Sequence, residues 1–436
     1  MADSGPADRV SGYRRSYWKA IIAAALVAAG GLAFVVLLAA TGWPGRRPWG
    51  PLGWLAWGAA GIVAGAAASW AALVMAGGLI ALRRDALEAR GLPYARQVPR
   101  EAEPGPIRAA LVGAARLARR ILRSRVQGLG LRPGEVVEVR NLGDILATLD
   151  ERGTLDGLPF MPEMAEFCGK RYRVFRRVDK INDWIRRTGL RRPRDTVLLE
   201  RLHCDGSHHG GCQANCHLRW NEAWLSRPAR GASPRREPAA LDETGRERLA
   251  ARRDESGDVR YVCQATELAA GTTPLAWADP RHYLRDWVWG NVRLGPLLTG
   301  ISLAAFNRFQ RARGGVRYPC YARLQQKGSP QEALDLRPGE TVVVRSKREI
   351  ERTLNAASRN RGLWFDGEML RFCGGEYRVL KRVDRLIEES TGKLVRLATP
   401  CVVLDGITAS GEYLAFCAQN EAIFWREVWL SRRGEV

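Results

Sequence analysis

Residues 131–226 of this chain reappear at 336–431 with a constant shift of 205 positions. FCGKRYRVFRRVD at 167–179, for example, becomes FCGGEYRVLKRVD at 372–384, and the two segments are identical at 36 of 96 positions without a gap. Each segment is long enough to be a domain. The sequence therefore predicts two duplicated domains of one fold in tandem, and excludes a solenoid of short repeats.

Each repeat has the pattern of a small β-rich domain. Pro-Gly dipeptides at 133–134 and 338–339 precede valine-rich segments with strand-like alternation. Short helices are predicted at 142–149 and 347–354, and apolar β-branched runs such as TVLLERL predict further strands. The combination predicts an α+β domain similar to an SH3-like barrel. Two tryptophans recur in the closing segment of each repeat and are expected in the core: Trp220, Trp224, Trp425 and Trp429.

Two long uncharged runs precede the repeats, at 20–43 and 54–82. Each exceeds the roughly 20 residues that a helix needs to cross about 30 Å of hydrocarbon. Tryptophans cluster at their edges, as interfacial aromatic residues do. A cleaved signal peptide fits less well, because the first run is long and a second follows directly. The sequence predicts an N-terminal cytoplasmic segment over 1–19 and a two-helix transmembrane hairpin over 20–82.

The basic residues that flank these runs predict the orientation of the hairpin. Arg14, Arg15 and Lys19 precede the first run and five arginines follow the second between 83 and 100, whereas the loop between the runs contains two. The positive-inside bias therefore places both ends in the cytoplasm, as for a protein of the bacterial inner membrane. A GxxxG spacing at 61–65 permits close helix packing, within one chain or between two copies.

The net charge of +22 is concentrated outside the repeats. Residues 131–226 contain 16 basic and 14 acidic residues, and residues 336–431 contain 15 and 13. A nucleic-acid-binding domain carries its positive charge on the domain itself, so no nucleic acid partner is expected. Excess charge on flanks and connectors favours contact with an anionic lipid surface.

Two connectors complete the predicted organisation. The first, 83–130, contains a basic amphipathic pattern at 107–123, which fits a helix on the membrane surface or one packed on the first repeat. The second, 227–335, contains a similar pattern at 294–309, too short to span comfortably, with the same two interpretations open. The polar stretch at 228–258 is predicted to be an exposed, disordered linker.

The segment HCDGSHHGGCQANCH at 203–217 holds three cysteines and four of the chain's five histidines. All nine cysteines follow the predicted hairpin, in the reducing cytoplasm, where disulfides are disfavoured. Thiolates with imidazoles are typical ligands of zinc or an iron–sulfur cluster. A thiol cluster that fills the core and a catalytic thiol remain alternatives. The candidate ligands in the first repeat are Cys168, Cys204, Cys212, Cys216, His208 and His209.

Comparison of the repeats narrows this prediction to the first of them. Cys168 and Cys212 have counterparts in the second repeat, but Cys204 aligns with Ala409 and Cys216 with Glu421. A four-ligand zinc site is therefore expected in the first repeat only. Residues 204–208 resemble the CDGSH segment of a family that binds a [2Fe–2S] cluster, but that family also needs an upstream Cys-x-Cys pair that this chain lacks. Zinc is favoured over iron–sulfur.

Common catalytic motifs are absent from the sequence. It contains no GxxxxGK[ST] phosphate loop, HExxH helix or G-x-S-x-G elbow. Acidic residues retained in both repeats fit ion pairs and turns better than catalysis, namely Glu163 and Glu368, Asp179 and Asp384, and Glu222 and Glu427. The sequence leans away from an enzyme without excluding one.

RGLWFDGEMLRFCGGEYRVLKRVD, HCDGSHHGGCQANC and WREVWLSR resemble an uncharacterised bacterial family with tandem cysteine-containing repeats. The resemblance covers most of 131–431 and implies a genomic context of exopolysaccharide and glycosyl-transfer pathways, but no activity. We therefore expect a membrane-tethered cytoplasmic binding or scaffold module in envelope polysaccharide assembly, with a membrane protein or a second copy as partner. The alternative is a metal-dependent or iron–sulfur redox enzyme that uses the cluster at 203–217.

Overall fold

The computed structural model describes residues 6–40, 51–88, 128–228, 241–321 and 333–434. It begins with two long helices, α1 (Pro6–Ala40) and α2 (Pro51–Glu88), which pack against each other. Within the described residues, one helical segment, Val63–Glu88, is long and apolar enough to cross a membrane. The helix predicted at 107–123 lies outside the described residues.

A β-rich region follows, and its first part is a unit at 128–228 built on a five-stranded antiparallel sheet in the order β8-β7-β4-β1-β9. A short helix, α3 (Leu142–Leu146), begins at Asn141, whose side chain accepts a hydrogen bond from the Asp144 amide. The strands of this unit are β1 (Val136–Val139), β2 (Thr154–Leu155), β3 (Leu158–Pro159), β4 (Arg171–Arg177), β5 (Ile181–Asp183), β6 (Gly189–Pro193), β7 (Thr196–His203), β8 (His217–Asn221) and β9 (Leu225–Ser226).

A second unit, at 333–434, has a five-stranded sheet in the order β18-β17-β16-β13-β19. Its short helix α7 (Lys347–Glu351) begins with a capping box between Ser346 and Glu349. The strands are β13 (Thr341–Val344), β14 (Arg359–Asn360), β15 (Leu363–Trp364), β16 (Glu376–Ile387), β17 (Leu394–Thr408), β18 (Ala422–Trp425) and β19 (Leu430–Arg432).

Both sheets are strongly curved. In the first unit, β8 and β9 lie at opposite edges of the sheet, yet only the 3₁₀ turn Glu222–Trp224 separates them in sequence. Three residues span at most about 10 Å, so the two edges must approach each other. The Trp220 and Trp224 side chains are fully buried inside the curve, and Trp425 and Trp429 are buried in the same way in the second unit. The prediction that these tryptophans form the cores is confirmed.

The connector at 241–321 is more ordered than the sequence predicts. Residues 241–258 were expected to be disordered, but they contain a helix capped by the Asp242 side chain and the start of a β-hairpin. The disorder prediction is therefore wrong for this part, because Leu249 packs into the core of the first unit and Ala250 beside it is buried. The connector's elements are α4 (Glu243–Ala250), β10 (Ala251–Arg253), β11 (Val259–Tyr261), β12 (Thr272–Pro274), α5 (Pro280–Trp289) and α6 (Leu294–Ala312).

Helix α6, which contains the amphipathic pattern at 294–309, packs on α2. A Cβ added at Gly77 would lie 2.0 Å from the Ser302 carbonyl oxygen, so only glycine permits this approach. The Phe306 ring lies edge-on to Tyr17 of α1, with 5.2 Å between ring centroids. The apolar face of α6 is therefore covered by the two N-terminal helices.

The two β-rich units contact each other through matched positions. The Cys212 sulfur accepts a hydrogen bond from the Ile387 amide at 3.4 Å, and the Cys417 sulfur accepts one from the Asn182 amide at 3.2 Å. Cys212 and Cys417 are 205 residues apart, as are Asn182 and Ile387. Two backbone hydrogen bonds repeat the pattern. The amide of residue 213 donates to the carbonyl oxygen of residue 385 at 3.2 Å, and the amide of residue 418 donates to that of residue 180 at 3.1 Å. Each unit therefore contacts the other through the same two segments, 180–182 and 212–213 in the first unit and 385–387 and 417–418 in the second.

Candidate functional site: the cysteine and histidine loop

The loop between β7 and β8 folds back on itself over 204–216. The Cys204 amide donates to the Cys216 carbonyl oxygen at 2.8 Å. Gly206 has a φ of +75°, and a Cβ there would lie 2.0 Å from the Cys212 carbonyl oxygen. Only glycine supplies both this left-handed conformation and this close approach. The loop therefore gathers its three cysteine backbones into one small region.

A buried glutamate closes this loop. Glu163 lies on the 3₁₀ turn Pro162–Phe167, and its Oε1 lies 2.5 Å from His209 Nδ1 and 3.3 Å from the His208 amide that donates to it. The other nitrogen of His209, Nε2, lies 3.0 Å from the Val262 carbonyl oxygen in the connector. Glu163 and His209 are both almost completely buried. Together they join the turn, the loop and the connector.

Glu163, Cys204 and His209 form the one group of three potential ligands within 4.8 Å of each other among the residues that the structure describes. His209 is nevertheless a poor ligand as it stands, because a carboxylate and a carbonyl oxygen occupy its two ring nitrogens. Burial opposes protonation of His209, but the hydrogen bond and charge of Glu163 outweigh it and raise the imidazole pKa. Both ring nitrogens face acceptor oxygens, so these contacts favour the doubly protonated, cationic ring beside Glu163.

The other predicted ligands are dispersed around this group. Cys168 is buried at the end of the 3₁₀ turn with its sulfur 3.9 Å from the Met164 carbonyl oxygen, and burial raises its pKa to about 12. His208 contributes its backbone amide to Glu163. Cys212 faces the second unit through Ile387. Cys216 is exposed.

One cysteine that sequence reasoning missed lies beside this loop. Cys263 follows β11 in the connector and packs against the first unit's core together with Cys204. Its neighbour Val262 is the residue that accepts from His209. The sequence contained no spacing signal for Cys263, because it is 47 residues from Cys216 and outside the repeats.

In the second unit, the corresponding glutamate holds its loop without a hydrogen bond to cysteine or histidine among the described residues. Glu368 occupies the position of Glu163, and its carboxylate accepts from the Ser410 amide at 3.0 Å, the Ser410 hydroxyl at 2.7 Å and the Tyr413 amide at 3.2 Å. Both carboxylates therefore hold the loop that follows the long central strand. The shared role is structural, and the partner chemistry differs.

A second acidic position shared by the units is also structural. Glu222 accepts from the Gly130 and Leu131 amides at 2.8 Å and pairs with the buried guanidinium of Arg177. Glu427 makes the corresponding contacts, including an ion pair with Arg382 at 2.5 Å. The retained Asp179 also contacts Arg177, at 3.3 Å.

A polar cleft of about 370 Å³ lies between the first unit and the connector. Arg192 and Arg285 line it, and within the described residues neither guanidinium has an ion-pair partner. Burial lowers the pKa of Arg192, and the charge of Arg285 lowers it further. The Arg192 Nε is buried and has no hydrogen-bond partner among the described residues. Three aspartates also line the cleft, and the charge of Asp179 acts against the lowering of the Arg192 pKa. Two neighbouring guanidinium groups without a direct ion pair are nevertheless suited to an oxyanion.

The corresponding part of the second unit is nearly filled, with a cavity of about 30 Å³. Arg426 occupies it and donates to the carbonyl oxygens of Thr399, Pro400 and Arg361. The first unit has Asn221 at the position of Arg426. The cleft is therefore a property of the first unit and its connector.

No family profile, no curated protein and no solved structure matches this chain.

Proposed function

We propose that this chain is a membrane-tethered binding and scaffold module that serves envelope polysaccharide assembly on the cytoplasmic side of a bacterial inner membrane. The observation that carries the proposal is the way the apolar helix α2 ends. Its last turns carry charged residues that form ion pairs with the second unit. The proposed membrane segment is thereby attached directly to the folded β-rich region. The family resemblance described above supplies the polysaccharide context.

The attachment consists of one buried and one partly buried ion pair. Lys347, at the start of α7, pairs with Glu88 at 2.9 Å, and burial of this lysine is outweighed by the carboxylates, which raise its pKa. Arg84 pairs with Glu412 at 2.9 Å and donates to the Tyr413 hydroxyl at 2.9 Å. Such desolvated pairs are costly to break one partner at a time. They support a fixed orientation of the tether on the body.

The exposed apolar side chains of both helices support two spans. In α1 the side chains of Trp18, Ile22 and Leu26 are exposed, and in α2 those of Val63 and Leu79. Large exposed apolar surfaces need a lipid or protein partner. A two-span hairpin gives both helices that environment and keeps the chain on the cytoplasmic side, and the anionic headgroups then face its flanking arginines.

The duplication is part of the same proposal. The strand orders β8-β7-β4-β1-β9 and β18-β17-β16-β13-β19 correspond strand by strand, and both sheets curve enough to bring their edges together. These features support two copies of one small SH3-like barrel. In this scaffold, the matched segments form the contact between the two copies. The cleft at Arg192 and Arg285 binds the ligand, and a phosphate or carboxylate group of a saccharide precursor would fit there.

A redox enzyme that uses the thiols is the weaker candidate. A reactive cysteine needs a lowered pKa and access to solvent. Burial instead raises the pKa of Cys204 and of Cys263. These thiols suit a structural role.

Membrane attachment and orientation are tested together by reporter fusions in a bacterial host. We expect a C-terminal alkaline phosphatase fusion to be inactive and a C-terminal green fluorescent protein fusion to be fluorescent. A phosphatase fused at residue 50 should be active. Full-length chain should also resist extraction with alkaline carbonate. An active C-terminal phosphatase, or complete extraction by carbonate, would overturn the proposal.

Ligand binding by the cleft is tested with inorganic phosphate, pyrophosphate and glucuronate on the full-length chain in detergent. We expect calorimetric binding of at least one of these anions and at least a tenfold weakening, about 1.4 kcal/mol, in Arg192→Gln and in Arg285→Gln. Arg246→Gln, at an exposed position on α4, is the matched control. Equal binding by all four proteins would exclude the cleft as the site.

A further inference from the structure

We propose that one side of α6 lies on the membrane surface and contacts anionic lipid headgroups, together with Trp277 from the loop between β12 and α5. This inference rests on the proposed function, because it requires α2 to cross the bilayer. It adds a second membrane contact, which the connector makes.

The contact between α6 and α2 sets the depth of α6. The two helices meet at Gly77, where a Cβ would lie 2.0 Å from the Ser302 carbonyl oxygen and 2.7 Å from the Phe306 Cβ. The uncharged run of α2 continues from Gly77 only to Leu82, and this short piece of helix rises about 8 Å. Helices that lie in the boundary between headgroups and acyl chains are buried to about 5–10 Å. Helix α6 therefore meets α2 at the depth of an interfacial helix.

Contacts on one side of α6 determine which side is left for lipid. The Asn307 side chain exchanges hydrogen bonds of 2.6 and 2.7 Å with the Tyr318 backbone, and a Cβ at Gly300 would lie 2.4 Å from the Phe416 ring of the second unit. The helical repeat turns another stripe of α6 away from these contacts. Its members, of which the first and last are exposed and the middle two half-buried, are Leu298, Ile301, Ala305 and Arg308.

Trp277 extends this stripe. The Arg308 guanidinium lies over the Trp277 ring, 4.4 Å from its centroid, and the Trp277 side chain is 55% exposed. Within the described residues, neither Arg308 nor Arg311 forms an ion pair. The carboxylate of Asp279, two residues after Trp277, is already paired with Arg281 at 2.8 Å. The stripe therefore presents apolar side chains and free positive charge together.

This chemistry fits an anionic bilayer surface. Residues 287–321, which include all of α6, contain five arginines and no acidic residue. Interfacial helices place leucine and tryptophan at the boundary of headgroups and acyl chains, and their long arginine side chains reach the phosphates. An exposed apolar stripe marks a surface that binds a partner. Because this stripe adjoins the proposed span, lipid is the partner that covers it.

Depth-dependent quenching in the full-length chain tests the contact. A fluorescent amino acid replaces Leu298, and the chain is reconstituted in vesicles of phosphatidylcholine and phosphatidylglycerol. We expect lipids brominated near the headgroup to quench this probe more strongly than lipids brominated at the chain ends. The same probe at Trp364, an equally exposed position in the second unit, is the matched control and should not be quenched.

A probe at Ser69, near the middle of the apolar run of α2, separates failure of this inference from failure of the proposed function. We expect it to be quenched most by bromines at the chain ends. Quenching at Ser69 without quenching at Leu298 would overturn the α6 contact and leave the span in place. An absence of quenching at both positions would overturn the membrane attachment as well.

The part played by charge is tested with the Leu298 probe in vesicles of phosphatidylcholine alone and in Arg308→Glu. We expect its quenching to fall by about half or more in both, because each arginine near an anionic surface favours contact. Arg246→Glu, at an exposed position on α4, should leave the quenching unchanged. Equal quenching with and without phosphatidylglycerol would overturn the assignment to anionic lipid.

Discussion

The loops at 203–217 and 408–422 occupy the same place in their units and are held by the same glutamate, yet they are chemically unlike. In the first unit Glu163 holds a cationic histidine, and in the second Glu368 holds a serine and two backbone amides. The first loop contains Cys204, Cys212 and Cys216, whereas the second contains Cys417 as its one cysteine. The glutamate and the Cys212/Cys417 position are therefore features of the shared fold, whereas Cys204, Cys216 and the histidines are particular to the first unit.

The largest expected loss of stability concerns a buried glutamate–arginine pair that both units share. Glu222→Ala leaves the Arg177 guanidinium, only 4% exposed, without its closest partner, and breaking a buried pair in this way costs about 3–5 kcal/mol. Glu427→Ala should cost less, about 1–3 kcal/mol, because Arg382 is 34% exposed and can be hydrated. Urea unfolding followed by tryptophan fluorescence measures both. Equal losses would contradict the argument from exposure.

The next effect separates the two loops. Glu163→Gln keeps the size of the side chain but removes the charge that holds the His209 imidazolium, and should cost about 2–3 kcal/mol. Glu368→Gln keeps one acceptor oxygen for Ser410 but turns an NH2 group towards the Tyr413 amide and loses the charge 3.7 Å from Arg371, so it should cost less, about 1–2 kcal/mol. Thermal unfolding of the two variants beside the unaltered chain provides the measurement. If Glu368→Gln proved the more damaging change, the argument that the carboxylate charge matters more in the first loop would be wrong.

The smallest effect depends on pH and again distinguishes the halves, because all five histidines precede the second unit. His282 is buried, and burial together with Lys180 lowers its pKa to about 4. Its folded pKa lies below the unfolded value, so its contribution to stability is present above about pH 6.5 and is lost as the pH falls towards 4.

His282→Gln should remove this dependence and lose about 2–4 °C less between pH 7 and pH 5 than the unaltered chain. Asp279 and Arg192 also face the imidazole, and nearby Asp286, with its pKa raised to about 6 by burial, works in the opposite direction. The two proteins share these groups, so the difference between their melting curves isolates His282. Parallel curves would show that the pKa of the His282 imidazole is the same in the folded and the unfolded chain, and would contradict its lowering.

The sequence predicted features that depend on neighbouring residues better than features that depend on contacts between distant segments. Strand segments, short capped helices and core tryptophans are local patterns, and they were placed within a few residues. Cys263 and the anionic partners of Lys347 could not be foreseen, because each depends on contacts between segments tens or hundreds of residues apart. The disorder prediction for 241–258 failed for the same reason: a segment with little apolar content was ordered by the surface it met.

The α6 contact with Gly77 and the charged end of α2 together have a mechanical consequence. Helix α2 packs against α6 along its side and forms ion pairs with the second unit at its end. It cannot turn about its axis or slide without moving both contacts. Any tilt of α2 is therefore transmitted as a rotation of the second unit, and the backbone bonds at Asn182 and Ile387 pass it to the first.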